Sequence, residues 1–278
     1  MIKVFKFGGA SVKDACAVRN MSDILMAYES DNLIVVVSAM GKTTNALEKI
    51  LRLSRDNSAD ASVVFEQLVN YHKTITDELF KGEQNTAAPE LAKLWRELWD
   101  KFQLTHLSYD EQYDQTVSYG ELISTTIISH YFQKIGMKHH HADARKLIIT
   151  NHRFRSADPD WETTSGKVNT LFEQTSEKIL LTQGFIGGTS DKRTTTLGRE
   201  GSDFTSAILA WCLNASEVVI WKDVPGLLNA DPKRFPAALK ISQISYSEAI
   251  ELAYYGATVI HPKTIKPLEN KNIPLKVQ

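Results

Sequence analysis

The segment NLIVVVSAM, residues 32–40, limits the possible folds of this chain more than any other stretch. It is apolar on both faces and rich in β-branched residues, as a strand is when helices cover both faces of a parallel sheet. Another apolar run occupies 2–7, and apolar residues at helical spacing follow each of these runs. The alternation predicts an α/β protein, a three-layer α/β/α sandwich with a mostly parallel central sheet.

The rest of the chain continues this alternation, with one exception. Residues 58–108 carry Leu, Glu and Lys at helical spacing and predict a helical excursion from the α/β core. Within the excursion, Trp95 and Trp99 fall at i and i+4, which is typical of a packing stripe. Further helices are predicted at 13–29, from about 44, at 117–135, 163–176 and 245–256, and after 262; further strands are predicted at 138–142, 146–149, 178–184, 216–224 and 273–277.

Composition and charge exclude several classes of protein. The formal net charge of −1 gives no electrostatic reason to expect nucleic acid or an anionic membrane as a partner. The longest apolar run, LIVVV at 33–37, is far too short to cross a bilayer, and the opening MIKVFKFGG has the pattern of a strand rather than of a secretory signal. Cys16 and Cys212 form no CxxC pair, so both are expected to be buried structural thiols in a reducing, cytoplasmic setting.

Glycine-containing turns follow several predicted strands. GKT at 41–43 is not a Walker loop, because Val36 stands where that pattern needs glycine, and no GxGxxG follows a strand. A P-loop kinase and a dinucleotide-dependent dehydrogenase are therefore disfavoured. At the carboxyl ends of parallel strands, glycines and helix N-termini present backbone N–H groups to anions. Five such turns indicate an anionic ligand: KFGG (6–9), SAMGKTTN (38–45), QGFIGG (183–188), TLGREGSD (196–203) and WKDVPGLLNADPKR (221–234).

Together with SYGE at 118–121, these motifs resemble the amino-acid kinase superfamily, and within it the aspartokinases. The resemblance covers nearly the whole chain. It implies the carbamate kinase-like fold, a homo-oligomer in the full-length form, and transfer of the ATP γ-phosphoryl group to the β-carboxylate of L-aspartate, with ATP and Mg²⁺ as cofactors. The product that the resemblance implies, 4-phospho-L-aspartate, would be the first intermediate toward lysine, threonine and methionine. Because the carboxylate is already ionised at neutral pH, the site needs no general base but must hold two anions in line.

The resemblance also implies roles for single residues. Lys6 would reach the transferring phosphoryl group, and Asp203 would orient this lysine in the catalytic centre. Arg199 would grip a carboxylate of aspartate as a bidentate fork, and Glu121 would take the α-ammonium group. Purely structural alternatives stay open: a strand-end lysine, a helix N-cap aspartate and a first-turn glutamate. The aspartate pocket would be completed by Ser38, Thr44 and Ser202.

The same resemblance places the nucleotide. Magnesium would be held mainly by the ATP phosphates, without a protein metal ligand. Lys6 and the first glycine turn would line the phosphates, and the later turns would contact the rest of the nucleotide, although their sequences are also good turn formers. The ATP-binding residues implied in this way are Lys6, Gly8, Gly9, Ser11, Lys222, Asp223, Leu228, Asp231, Lys233, Thr258 and Lys263.

Several positions depart from the family pattern. Glu200 stands where glycine is usual and adds a negative charge beside Arg199. Leu228 replaces a common tyrosine and Lys233 a common arginine. Thr258 replaces a frequent lysine, for which Lys263 is the nearby substitute. These departures leave the reaction class intact and affect the expected nucleotide contacts.

Other polar features are interpreted as structural. Adjacent strand residues point to opposite faces, so HHH at 139–141 makes a poor single-site chelate. His72 and His106 are expected at the surface or its boundary. The polar segment 151–164 is expected to be a solvated loop that could cover a substrate.

Two other functions remain open at this stage. One is a related kinase that phosphorylates glutamate or acetylglutamate, and the other is a nucleotide-binding regulator without turnover.

Residues 1–278 are expected to form one kinase catalytic domain, with approximate lobes at 1–180 for aspartate and 181–278 for the nucleotide. Aspartokinases commonly continue into ACT regulatory domains, which this sequence lacks, so we expect a catalytic piece of a longer protein or a form without feedback control.

Overall fold

The computed structural model describes residues 1–222, 226, 228–229, 235, 237–254 and 260–278. Its strands are β1 (Ile2–Phe7), β2 (Asn32–Val37), β3 (His140–Ala142), β4 (Ile149–Thr150), β5 (Ile179–Gln183), β6 (Ile186–Thr189), β7 (Thr194–Thr196), β8 (Glu217–Trp221) and β9 (Leu275–Val277). Its α-helices are α1 (Ala15–Met26), α2 (Thr43–Arg55), α3 (Asp60–Leu79), α4 (Ala88–Phe102), α5 (Tyr109–Val117), α6 (Tyr119–Lys134), α7 (Ala144–Leu147), α8 (Trp161–Gln174), α9 (Gly201–Leu213), α10 (Tyr246–Tyr254) and α11 (Pro262–Asn270).

The central sheet has the strand order β3-β5-β2-β1-β8-β9 among the described residues. Every neighbouring pair in it is parallel, so the carboxyl ends of the strands lie along one edge. A smaller sheet has the order β4-β6-β7, in which β6 and β7 are antiparallel. The mostly parallel α/β architecture predicted from the sequence is confirmed.

Successive residues of β1 and β2 pack into two different hydrophobic cores. Phe5 and Val35 lie in the core formed with α1 to α6, whereas Val4 and Val36 lie in the core formed with α8, α9 and α11. This alternation is what a sheet covered by helices on both faces requires. Because Lys6 is two residues after Val4, it faces α9.

The helical excursion packs against the first of these cores. Trp95 and Trp99 are half-buried there, with the Phe65 ring 5.8 and 4.8 Å from their ring centroids, which confirms the packing stripe. His72 is 1% exposed, so its expected place at the surface is wrong. It lies on the buried stripe of α3 that includes Leu68 and Ile75, and its ring nitrogens are 2.9 Å from the Leu68 oxygen and 3.2 Å from Thr43 Oγ1.

Burial of the His72 ring makes the stability of the fold depend on pH. Burial lowers its pKa from 6.5 to about 4, so the folded protein keeps the ring neutral while the unfolded chain takes up a proton below pH 6.5. Between these two values we expect the free energy of unfolding to fall by about 3 kcal/mol as the pH falls. Denaturant unfolding of wild type and His72→Gln from pH 7 to 4 measures this, and an equal pH slope in both proteins would contradict it.

Some expected boundaries are corrected by local side-chain contacts. The strand expected at 146–149 is instead helix α7 followed by β4, because the Asp143 side chain accepts a hydrogen bond from Arg145 N at 3.0 Å and caps α7. Asp160 likewise caps α8, which begins at Trp161, inside the expected loop. The helix expected over 117–135 begins at Tyr119, and α5 ends just before it.

The cysteines and histidines differ from one another in their surroundings. Cys212 is buried as expected, but Cys16 is exposed, so the prediction for Cys16 is wrong. His106 is exposed. In the 139–141 run, His139 contacts Ser129 Oγ at 2.7 Å and His141 contacts Gln183 Nε2 at 3.0 Å. None of the helices in the described ranges combines the length and apolarity needed to cross a membrane.

Candidate active site

A buried carboxylate joins two lysines at the carboxyl edge of the central sheet. Lys6 on β1 is 6% exposed and Asp203 on α9 is 1% exposed. The Lys6 ammonium lies 2.6 Å from one Asp203 oxygen, and Lys222, just after β8, lies 2.9 Å from the other. The neighbouring parallel strands β1 and β8 therefore deliver two cations to one anion on the helix that covers them.

A cavity of about 440 Å³ opens beside this group. It brings together every residue predicted for catalysis and for aspartate binding. Of the positions predicted for ATP, it includes Gly9 and Lys222 in addition to Lys6. The predicted residues that line it are Lys6, Gly9, Ser38, Thr44, Glu121, Arg199, Ser202, Asp203 and Lys222.

Glycines allow the chain segments around the cavity to approach closely. A Cβ atom on Gly9 would lie 2.8 Å from the Ala39 oxygen, so the turns after β1 and β2 can meet only with glycine there. Gly8 N and Ser11 Oγ donate hydrogen bonds to the Trp221 oxygen at 3.2 and 3.0 Å. Gly8 and Ser11 thus connect the first turn to the end of β8, directly before Lys222.

Glu121 places a buried carboxylate at the start of α6. The residue is 2% exposed, and its Oε1 accepts a hydrogen bond from Ala39 N at 3.2 Å. Its Oε2 has no hydrogen-bond partner in the part of the chain that the structure describes. Burial raises the pKa of Glu121 to about 8, against the lowering effects of the Ala39 hydrogen bond and of Lys6. The cavity therefore contains an acceptor oxygen that a cationic ligand group could satisfy.

The turn before α9 carries both Arg199 and the unusual Glu200. Arg199 is exposed and lines the cavity. Glu200 adopts the left-handed conformation with φ of 53°, which costs a residue with a side chain more than it costs glycine. Within the described ranges its buried Oε2 lacks a hydrogen-bond partner. Burial raises the pKa of Glu200, and the nearby Lys222 works against that rise.

Two other residues predicted to bind ATP, Lys263 and Leu228, are not among those that line the cavity. Lys263 lies at the start of α11, with its ammonium 3.2 Å from Ser156 Oγ and 3.9 Å from Asp158. Leu228 forms an isolated antiparallel bridge with Lys240. Four further positions predicted for ATP lie outside the described part of the chain: Asp223, Asp231, Lys233 and Thr258.

The cavity also contains residues that the sequence analysis missed. Tyr113, Arg155 and Phe185 line it. Phe185 belongs to the glycine turn QGFIGG, and Arg155 belongs to the polar loop that could cover a substrate, so the sequence pattern marks both segments. Helical periodicity alone does not indicate that Tyr113 lies in the site.

Comparison with known proteins places the chain in a family. It matches the amino acid kinase family over residues 1–278. It is 34% identical, over 99% of its length, to lysine-sensitive aspartokinase 3 of Escherichia coli (strain K12), and 31% identical, over 100% of its length, to the chloroplastic bifunctional aspartokinase/homoserine dehydrogenase 2 of Arabidopsis thaliana. The crystal structure of E. coli aspartokinase III in complex with aspartate and ADP (R-state) matches 100% of this chain with a TM-score of 0.91 and 34% identity.

These relatives are longer than the chain. It spans 61% of the E. coli protein, both in sequence and in the crystal structure, and 31% of the Arabidopsis protein. The similarity to aspartokinases suggested by the sequence motifs is confirmed at the level of sequence and of fold. Since the family match extends over the full 278 residues, the chain belongs to the amino acid kinase family.

Proposed function

We propose that this chain is the catalytic domain of an aspartate kinase, which transfers the γ-phosphoryl group of ATP to the β-carboxylate of L-aspartate. The observation that supports this most strongly is the single cavity that contains all the residues predicted for catalysis and for aspartate. The similarity to an E. coli aspartokinase crystallised with aspartate and ADP supports the same reaction.

The amino-acid side of the reaction uses three polar groups of the cavity. The buried Glu121 carboxylate accepts a hydrogen bond from the α-ammonium group. The accepting atom is Oε2, which lacks a partner among the described residues. Arg199 binds the α-carboxylate as a fork of two parallel hydrogen bonds. The β-carboxylate is then left facing Lys6, as an ionised nucleophile that needs no proton acceptor.

The phosphoryl side of the reaction depends on cations rather than on acid–base chemistry. Lys6 and Lys222, fixed by Asp203 at 2.6 and 2.9 Å, neutralise the charge that develops on the transferred group. At the N-terminus of α9, the backbone N–H of Ser202 serves the same purpose, whereas that of Gly201 donates to the Gly198 oxygen at 3.0 Å. A bound Mg²⁺ would supply further neutralisation of the phosphate charge. Since both oxygens of Asp203 already contact lysines, this site fits a metal held mainly by phosphate.

The two halves of the chain contribute unequally to the substrates. We assign 1–180 mainly to aspartate, because Ser38, Thr44 and Glu121 lie there, and 181–278 mainly to the nucleotide, because Lys222 lies there. Arg199 and Ser202 are exceptions, since they reach the aspartate side from the second half. We also propose that the enzyme is cytoplasmic and that its full-length form is a homo-oligomer.

A hydroxylamine trap tests the reaction directly. The purified chain is incubated with ATP, Mg²⁺ and hydroxylamine, and with aspartate, glutamate or acetylglutamate in parallel reactions. We expect hydroxamate and ADP with aspartate alone. Product from glutamate or acetylglutamate instead would assign the chain to another acyl-phosphate kinase, and absence of product from all three would support a regulator without turnover.

Replacing Glu200 with glycine is expected to favour both folding and nucleotide binding. The change removes left-handed strain, which is expected to raise the free energy of unfolding by about 1 kcal/mol. It also removes a negative charge beside Lys222, which is expected to lower the KM for MgATP by about two- to fivefold. Denaturant unfolding and steady-state kinetics measure the two effects.

Glu200→Gln is the matched control, because it removes the charge and keeps the strained backbone. It should share the lower KM without the gain in stability. If both variants keep the wild-type KM for MgATP, Glu200 does not act on the phosphates.

A further inference from the structure

Asp114 on α5 is a buried carboxylate that connects two other segments of the chain. It is 0% exposed. One oxygen accepts hydrogen bonds from Arg155 N at 3.1 Å and from Thr196 Oγ1 at 2.7 Å. The other oxygen accepts from Arg155 N at 3.0 Å and from Thr196 N at 2.8 Å. One side chain therefore fixes the backbone of the 151–158 loop and the end of β7 together.

The two connected segments also contact one another. Ala157 N donates to the Thr196 oxygen at 2.9 Å. Gly198, with φ of 83°, packs so closely on the loop that a Cβ atom there would lie 3.2 Å from the Arg155 oxygen. The loop and the turn that follows β7 thus form one unit, with the Asp114 carboxylate at its centre.

Each segment carries an arginine to the cavity. Arg199 comes three residues after Thr196, and Arg155 donates its own backbone N–H to Asp114. The Arg155 guanidinium lies 4.5 Å from the centroid of the Tyr113 ring and 3.2 Å from Asp110. Arg155 and Arg199 both line the cavity, so a shift of the unit would move both arginines relative to Lys6.

We propose that Asp114 is a positioning residue for the amino-acid substrate: by fixing the 151–158 loop to the end of β7, it sets the places of Arg155 and Arg199 around the substrate carboxylate. The inference rests on the proposed function and adds two residues, Asp114 and Arg155, to the site. Asp114 touches neither substrate in this scheme and acts through the two backbone segments.

The contacts of the Asp114 side chain require a carboxylate. Four donor–acceptor contacts converge on its two oxygens, and all of them require an acceptor. An asparagine side chain offers only one acceptor oxygen, and its NH₂ group would face a backbone N–H. Burial raises the pKa of Asp114 to about 7, against the lowering effects of its Thr196 and Arg155 partners, so ionisation of this side chain carries a cost in desolvation.

Asp114→Asn separates positioning from general stability. We expect the KM for aspartate to rise by about 10- to 100-fold, as hydrogen bonds to the carboxylate are lost, while the KM for ATP stays within about twofold. Hydrogen exchange at the amides of Arg155 and Thr196 should become faster in peptides spanning 151–158 and 194–199. Thr196→Val, which removes one donor and no charge, should give a smaller rise in the KM for aspartate, about fivefold.

The outcomes are distinguishable. Faster exchange with equal changes in both KM values, or with none, would overturn the proposal and leave Asp114 a structural residue; unchanged exchange would overturn it as well. If Asp114→Asn does not fold, Thr196→Val decides, and an unchanged KM for aspartate in that variant overturns the proposal. Failure of the proposed function appears elsewhere, as a wild-type protein that forms no hydroxamate from aspartate.

Discussion

Lys6→Met is expected to lower kcat for phosphoryl transfer to aspartate by about 100- to 1,000-fold, the usual effect of removing a preorganised donor from a charged transition state. Lys6 is 6% exposed and its ammonium lies in the cavity, 2.6 Å from Asp203. A fixed cation in such a site stabilises developing charge far better than water does. The measurement is a comparison of kcat and of both KM values with wild type, by coupled detection of ADP.

Lys3→Met provides a matched control on the same strand. Lys3 also bridges two carboxylates, with its ammonium 2.9 Å from Asp31 and 3.5 Å from Glu217, but it lies toward the opposite end of β1. It should keep wild-type kcat. Lys6→Met leaves Asp203 paired with Lys222, so we expect the variant to fold. Denaturant unfolding shows whether it is folded in the assay. A folded Lys6→Met protein with wild-type kcat would remove Lys6 from the reaction.

The sequence was sufficient to predict which residues meet at the cavity where that meeting depends on strand ends. Lys6, Ser38 and Lys222 come at or just after strands β1, β2 and β8, which are parallel neighbours in the sheet. Parallel pairing brings their carboxyl ends together, so motifs far apart in sequence could be assigned to one site. The family resemblance then identified residues on α6 and α9 that periodicity alone would have left in the core.

Contacts between distant segments explain what the sequence did not predict. Asp114 contacts Arg155 and Thr196, which are 41 and 82 residues further along the chain, and no local pattern encodes such pairs. The errors at His72 and Cys16 are different, because helical phase could have prevented them. His72 lies on the apolar stripe of α3, whereas Cys16 lies one residue outside the buried stripe of α1 that includes Ala15.

Glu121→Gln is expected to weaken aspartate binding by about 10- to 100-fold, because a hydrogen bond to a charged group is replaced by one to a neutral amide. The Glu121 side chain accepts one backbone hydrogen bond and is 2% exposed, and glutamine preserves its shape. The KM for ATP should change little, because the predicted phosphate contacts come from other residues. Steady-state kinetics with each substrate varied in turn measures the difference.

The pH dependence of binding gives a more specific test of Glu121. Its pKa of about 8 means that the carboxyl group of the free protein is mostly protonated at pH 7, whereas an ammonium group binds the ionised form. Aspartate binding should therefore release a proton, and affinity should fall as the pH is lowered from about 8. Calorimetry in buffers of different ionisation enthalpy detects this release, which Glu121→Gln should abolish.

Stability should show the reverse dependence on pH. Because the folded-state pKa lies above the ordinary 4.5, the stability associated with the neutral group is fully present below 4.5 and is lost as the pH rises toward about 8. Glu121→Gln should not show this loss. Its free energy of unfolding should therefore increase relative to that of wild type as the pH rises from 5 to 9. If the variant follows the wild-type slope and still releases a proton on binding aspartate, another group contacts the substrate ammonium.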